Sequence, residues 1–302
     1  MLELRNISKV LDHQAVVQNI SFSVIPGEIL GILAPSAEGK TAIIRLAVTV
    51  YRADQGEIIY INKKVNKLAG KIFGYIPQIR GVYQRARVIN YLLYQGALNQ
   101  LRSSQAREAA LRYLDKYELA DQVNRRMGEL NSEQQEKILI MGAILHEPDI
   151  LVVDEPFAGF SGQNESLVRS LLTEFKQKNK LVLLATRFLD IAENICDRVC
   201  LLNAGKLILN MTLPEIRTKV KDNIYYLETA DDLAFLKAVK EVQFKAENQG
   251  HYKITIKDKS FDARKLLAVL NKNIEVIKFE RFRPGLIYIY PRLVKNLQRS
   301  KK

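Results

Sequence analysis

Ala34-Pro35-Ser36-Ala37-Glu38-Gly39-Lys40-Thr41 is the stretch that decides the fold. It follows the phosphate-loop pattern G-x-x-x-x-G-K-[ST] with one departure, Ala34 in place of the leading glycine. Such a loop turns backbone N–H groups inward around phosphates, with a helix N-terminus behind them. Lys40 supplies a point charge for the β- and γ-phosphates, and the Thr41 hydroxyl suits magnesium. Alanine restricts the positive φ that glycine allows, so Ala34 reads as a flaw in the loop. Glu38 is an awkward neighbour, because its carboxylate would repel a polyphosphate. The flanks fit. Residues 28–33, apolar after Glu28, read as a buried strand, and residues 42–47, beginning with Ala42, have helical spacing. The loop predicts a strand–loop–helix unit that holds a nucleoside triphosphate with magnesium.

A second stretch completes this chemistry. Asp149-Ile150-Leu151-Val152-Val153-Asp154-Glu155-Pro156 is an apolar strand that ends in two carboxylates. Asp154 is placed to hold magnesium through water. Glu155 is placed to orient or deprotonate an attacking water.

Composition bounds the rest. The chain has 302 residues, 47% of them hydrophobic, enough for a large core and more than one domain. No apolar run reaches the ~18 residues of a membrane span, and the first residues lack a signal-peptide pattern. Cys196 and Cys200 sit in an apolar stretch and read as reduced core residues. His13, His146 and His251 are scattered and do not have metal-ligand spacing. The net charge is +13, and residues 203–302 carry most of it, with 21 Lys and Arg against 11 Asp and Glu. A basic last third reads as a solvated surface or as a contact for anionic lipid head groups. Nucleic acid is not expected.

Continuous apolar runs at 150–153 and 181–184, with helical stretches between them, predict a parallel sheet buried on both faces inside an α/β core. Beyond residue 222 the pattern becomes strand, helix, two strands, helix, strand, with Asn248-Gln249-Gly250 as a hairpin turn. That order suits a ferredoxin-like domain. A last helix is expected over 286–302.

Together these motifs resemble the ATP-binding subunit of ABC transporters. The resemblance adds further residues. Gly74-Tyr75-Ile76-Pro77-Gln78 looks like the family's Q-loop, which implies that Gln78 contacts the metal and the lytic water. Arg80-Gly81-Val82-Tyr83 and, near the end, Arg281-Phe282-Arg283-Pro284-Gly285-Leu286 resemble segments of the subgroup that serves sodium- and drug-efflux (ABC-2 type) exporters. The implied fold is a P-loop NTPase core with an antiparallel β subdomain and a helical subdomain at about 84–130. The core spans 1–215, and a basic α+β accessory domain spans 222–302. The cofactors implied are ATP and Mg2+. The implied partners are an integral membrane subunit and a second ATPase subunit, in a homo- or heterodimer. The implied place is cytoplasmic, peripheral on the inner face of the cell membrane.

The chain departs from the family pattern in several places. The signature segment, leucine-serine-glycine-glycine-glutamine in the family, is here Leu130-Asn131-Ser132-Glu133-Gln134. Glu133 would stand near a γ-phosphate of the opposite subunit. Two like charges ~5 Å apart repel by roughly 3 kcal/mol at an effective dielectric of ~20. The switch histidine is Arg187, which stays protonated and is a poor proton shuttle, though it can still offer charge to a γ-phosphate. The adenine-stacking aromatic is Leu11, and the D-loop aspartate is Ser161. Two readings result: an ATPase subunit that couples slow hydrolysis to export, or a catalytically degenerate subunit that serves a structural or regulatory role beside an active ATPase.

Overall fold

The computed structural model describes the chain apart from residues 35–36, 62, 66–68, 79–80, 82, 159–161, 220–222, 259–260, 283–284 and 300–302, with backbone alone at 37–38, 63–64, 69–70, 163, 219 and 293–299. The chain divides into two compact units, Met1–Leu213 with Tyr290–Lys302, and Pro214–Ile289.

The first unit runs β1 (Leu2–Leu11), β2 (Gln14–Val24), β3 (Ile29–Leu33), α1 (Ala37–Ala47), β4 (Gln55–Tyr60), β5 (Lys63–Lys64), α2 (Ala69–Ile72) and β6 (Phe73–Ile76). It continues with α3 (Val88–Leu98), α4 (Ser103–Lys116), α5 (Ser132–Ile144), β7 (Ile150–Asp154), α6 (Gly162–Gln177), β8 (Leu181–Thr186), α7 (Leu189–Ile195), β9 (Arg198–Asn203) and β10 (Lys206–Thr212). Two sheets result. The antiparallel one has the order β2-β1-β4-β5, and the larger one the order β10-β9-β3-β8-β7-β6. All neighbours in the larger sheet pair in parallel except β10 with β9. Every residue of β3, β7 and β8 is buried, as strands covered on both faces require.

Helix α1 is apolar on more than one side. Ile43, Ile44 and Leu46 belong to one cluster with Leu4 and Ile20 of the antiparallel sheet and Leu30, Val152 and Leu183 of the parallel one. Burial between two sheets fixes the helix, and hence the loop before it. The second apolar cluster is helical: Leu92 of α3, Ala110 and Leu114 of α4, and Ile138 and Met141 of α5 pack together.

The second unit begins in α8 (Leu213–Lys219) and holds β11 (Ile224–Glu228), β12 (Val242–Asn248), β13 (His251–Ile256), α9 (Ala263–Asn273) and β14 (Lys278–Arg281). Its antiparallel sheet has the order β12-β13-β11-β14, the strand order of a ferredoxin-like fold. The first helix expected beyond residue 222 is a single 3-10 turn, Ala234–Ala238, which places Leu233 and Leu236 in the core. On the other side of the sequence α9 buries Leu266 and Leu270 against the same sheet. The final helix, α10 (Leu286–Arg299), is present as expected. Its Tyr290 donates a hydrogen bond to Leu202 O at 3.2 Å, which ties this part of it to the first unit.

Candidate functional site

Register brings the two sequence motifs together. In the parallel sheet Leu33 pairs with Thr186, and Asp154 pairs with Ala185, so β3, β8 and β7 end side by side. The loop before α1 and the Asp154–Glu155 pair therefore share the carboxyl edge of the sheet, where α/β folds bind ligands.

Lys40 is 1% exposed, a depth at which an ammonium must be paired. Its Nζ donates to Ala34 O at 2.8 Å and lies 3.2 Å from Glu155 Oε1. Glu155 is held on three sides. Its backbone sits at φ 47°, a left-handed conformation uncommon for a side chain of this size. Its N–H donates to Ala185 O at 2.9 Å, and its Oε2 accepts from Arg187 N at 3.2 Å. The ion pair and this strained turn fix the carboxylate next to the lysine.

Asp154 is different. It is buried, and among the described residues neither carboxylate oxygen has a hydrogen-bond partner. Burial pushes its carboxyl above the usual range; the Thr41 hydroxyl pulls the other way, and the neighbouring Glu155 adds to the rise. A buried, unpartnered carboxylate facing a threonine hydroxyl fits a hard divalent cation. Magnesium usually takes one or two protein oxygens and completes its shell with water and phosphate. No group of three or more acidic, His or Cys side chains of metal-site geometry exists among the described residues.

Ala34 does not have a positive φ, so the alanine costs no backbone strain there. Its carbonyl is already used, by Lys40. Pro35 and Ser36 lie outside the described residues, as do the side chains of Ala37 and Glu38. Ala37 begins α1, and Gly39, Lys40, Thr41 and Ala42 follow in its first turns. Among the described residues, a Cβ added at Gly39 would meet only Val16 O, at an ordinary 3.6 Å. Leu11 ends β1 and lines a hollow with Thr41, Ala42, Arg45 and Tyr51. Gln78 is exposed two residues after β6, and no hydrogen bond joins it to Thr41 or Asp154 among the described residues. Arg187 meets Glu155 through its backbone, while its guanidinium lies over the Phe188 ring, 5.1 Å from the centroid. Arg80, Val82, Ser161, Arg283 and Pro284 lie outside the described residues.

At the segment read as the signature, Asn131 caps α5. Gln134 N donates to Asn131 Oδ1 at 2.9 Å, and Asn131 N donates back to Gln134 Oε1 at 3.2 Å. Glu133 pairs with Lys137 at 3.0 Å, so its charge is shared within the helix. Of the tyrosines ahead of and on α3, Tyr91 is buried, while Tyr83 and Tyr94 are 58% and 51% exposed. Tyr83 lies 6.1 Å from Tyr91 and 6.4 Å from Tyr94 between ring centroids, a small aromatic patch at the surface.

Sequence reasoning missed Arg45 and Tyr51. Arg45 stands one helical turn after Thr41, a spacing that puts both on one face, and this was the available signal. Its Nη1 donates to Tyr51 Oη at 2.7 Å. The Tyr51 hydroxyl, followed by that of Tyr75, raises the Arg45 pKa above its ordinary value.

A parallel sheet whose carboxyl edge carries a buried lysine, a threonine and a carboxylate pair defines a P-loop nucleotide-binding protein. Residues 17–158 match the family model described as ABC transporter, and residues 212–294 match that of the ATP-binding protein DrrA1-3-like, C-terminal domain. An ABC transporter ATP-binding protein of Methanocaldococcus jannaschii is 30% identical over 243 residues, covering 80% of this chain and 87% of that protein. The Nod factor export ATP-binding protein I of Rhizobium sp. (strain N33) is 29% identical over 208 residues, 68% of each chain. Among solved structures, a dimeric bacterial ABC transporter cassette superposes with a TM-score of 0.63 at 21% identity, over 70% of this chain and 99% of that one. The chain belongs to the ATP-binding subunits of ABC transporters.

Proposed function

We propose that the chain binds Mg-ATP through Lys40, Thr41 and Asp154, hydrolyses it with Glu155, and couples this to export by a separate membrane subunit. The observation that carries the reading is Asp154, a buried carboxylate without a partner beside Lys40 and Thr41. Gly39 agrees with it, because among the described residues no atom crowds a side chain there and room is left for a ligand. The Lys40–Glu155 pair then has a clear use. Arriving phosphates compete for the ammonium, and Glu155, freed from its cation, is left as a base for water. Arg187 can stabilise developing charge on the γ-phosphate by turning its exposed guanidinium inward.

Export is favoured by the Rhizobium relative, a Nod factor export ATP-binding protein. The Tyr83 and Tyr94 patch with Arg85 and Arg87 is the surface for the membrane subunit, aromatic and cationic in the way of interfaces. No helix among the described residues is long and apolar enough to cross a membrane, which suits a peripheral place on the cytoplasmic face beside that subunit. A second ATPase subunit completes the assembly, and the basic last third of the chain adds contact with anionic lipid.

Turnover of purified chain, alone and with its membrane partner, tests this beside Glu155→Gln. Loss of a positioned general base lowers turnover on the order of 100-fold or more. Turnover indifferent to that substitution sinks the hydrolytic reading.

A further inference from the structure

The hollow beside the phosphate loop runs on past Thr41 along α1. It encloses about 370 Å³, with Thr41 and Ala42 near the loop and Leu11, Gln14, Arg45 and Tyr51 further around it. Phosphates held at Lys40 leave the nucleoside only a short way to travel into this space. At position 11, where an aromatic ring would give the base a platform, the chain has an aliphatic side chain.

Arg45 and Tyr51 supply what Leu11 lacks. Beyond their 2.7 Å hydrogen bond, the guanidinium carbon lies 5.4 Å from the Tyr51 ring centre. Tyr51 is half-buried and packed on the main apolar cluster, so neither group is free to swing. Two flat, polarisable groups, a guanidinium and a phenol, are thus fixed in the wall before any ligand arrives. Pre-positioning of this kind removes the ordering cost from binding. A purine has π-faces and a set of edge acceptors, which such a pair can stack on and donate to.

We propose that Arg45 and Tyr51 form the base-contacting wall of the nucleotide site, and that a purine nucleoside is held against them in place of an aromatic residue at position 11. This rests on the nucleotide-binding reading above and names the residues that recognise the nucleoside half of the ligand.

The test compares two probes on the full chain with magnesium: ATP, which has a base, and inorganic tripolyphosphate, which has none. Wild-type chain binds ATP more tightly than tripolyphosphate. Tyr51→Leu keeps the apolar packing and removes the ring; it weakens ATP about tenfold and leaves tripolyphosphate within about twofold. Adding Leu11→Tyr to that variant recovers most of the ATP affinity. A Tyr51→Leu chain that binds both probes unchanged, or weakens on both alike, overturns the proposal and leaves Tyr51 a packing residue. Equal wild-type affinity for the two probes overturns the base subsite while sparing the phosphate site. Binding of neither probe by wild type overturns the nucleotide reading itself.

Discussion

At the scale of single residues, the site is organised by which charges have partners. Lys40 and Glu155 pair with each other, whereas the Asp154 carboxylate has no hydrogen-bond partner among the described residues. The folded chain holds the Asp154 proton more tightly than the unfolded chain, because burial opposes ionisation. Stability from that proton is present in acid and lost as pH rises through the raised value. Asp154→Asn is therefore expected to raise the melting temperature of nucleotide-free protein by a few degrees at pH 7.5, and the gain shrinks as the pH falls toward about 4, the ordinary carboxylate value. Melting curves across that range check the sign. The two cysteines give a second expectation at this scale. Burial pushes the Cys196 and Cys200 thiols up to about 12, so both stay unreactive toward a thiol reagent at pH 8 until the chain unfolds. Fast labelling of native protein would contradict their placement in the core. Lys40, Thr41, Asp154 and Glu155 were legible in the sequence because the chemistry fixes residue type and spacing. Arg45 and Tyr51 were not, because a guanidinium against a ring has no spacing of its own and is made by the turn after α1.

At the scale of elements, the fully buried strands were readable as apolar runs, since a strand covered on both faces has no polar alternation to lose. The turn at Ala234–Ala238 was read as a longer helix, because Leu233 and Leu236 have helical spacing that a single 3-10 turn also satisfies. Helix α5 shows how local rules repurpose a family segment. Asn131 and Gln134 make a reciprocal cap where the related pattern has serine and glutamine. Asn131→Ala removes the side-chain half of that cap and should cost about 1 kcal/mol, read as a lower urea midpoint with unchanged slope. A midpoint within error of wild type would mean that the helix start is held by other contacts, such as Asn164 Nδ2 donating to Glu133 O at 3.1 Å.

At the scale of the whole molecule, each unit carries its own core, and the ATP-binding chemistry lies in the first. Leu266 is fully buried in the second unit's cluster. Leu266→Ala is expected to destabilise that unit by roughly 2–5 kcal/mol, seen in hydrogen exchange on β11 and β13, while ATP affinity stays within about twofold. In the sequence the pattern changes after residue 222, whereas the second compact unit begins at Pro214 and ends at Ile289. Assignment of Tyr290 onward to the first unit was not visible there, because it depends on long-range contacts such as that of Tyr290 with Leu202. The central claim is that the loop, despite Ala34, still works with Asp154 as one magnesium-dependent phosphate site. Calorimetric titration of ATP into the chain, with and without Mg2+, beside Asp154→Asn and Lys40→Ala, tests it most directly. The account predicts that Mg2+ tightens ATP binding, that Asp154→Asn removes the Mg2+ effect, and that Lys40→Ala weakens binding under both conditions. ATP affinity that is indifferent to Mg2+ and to both substitutions would contradict it.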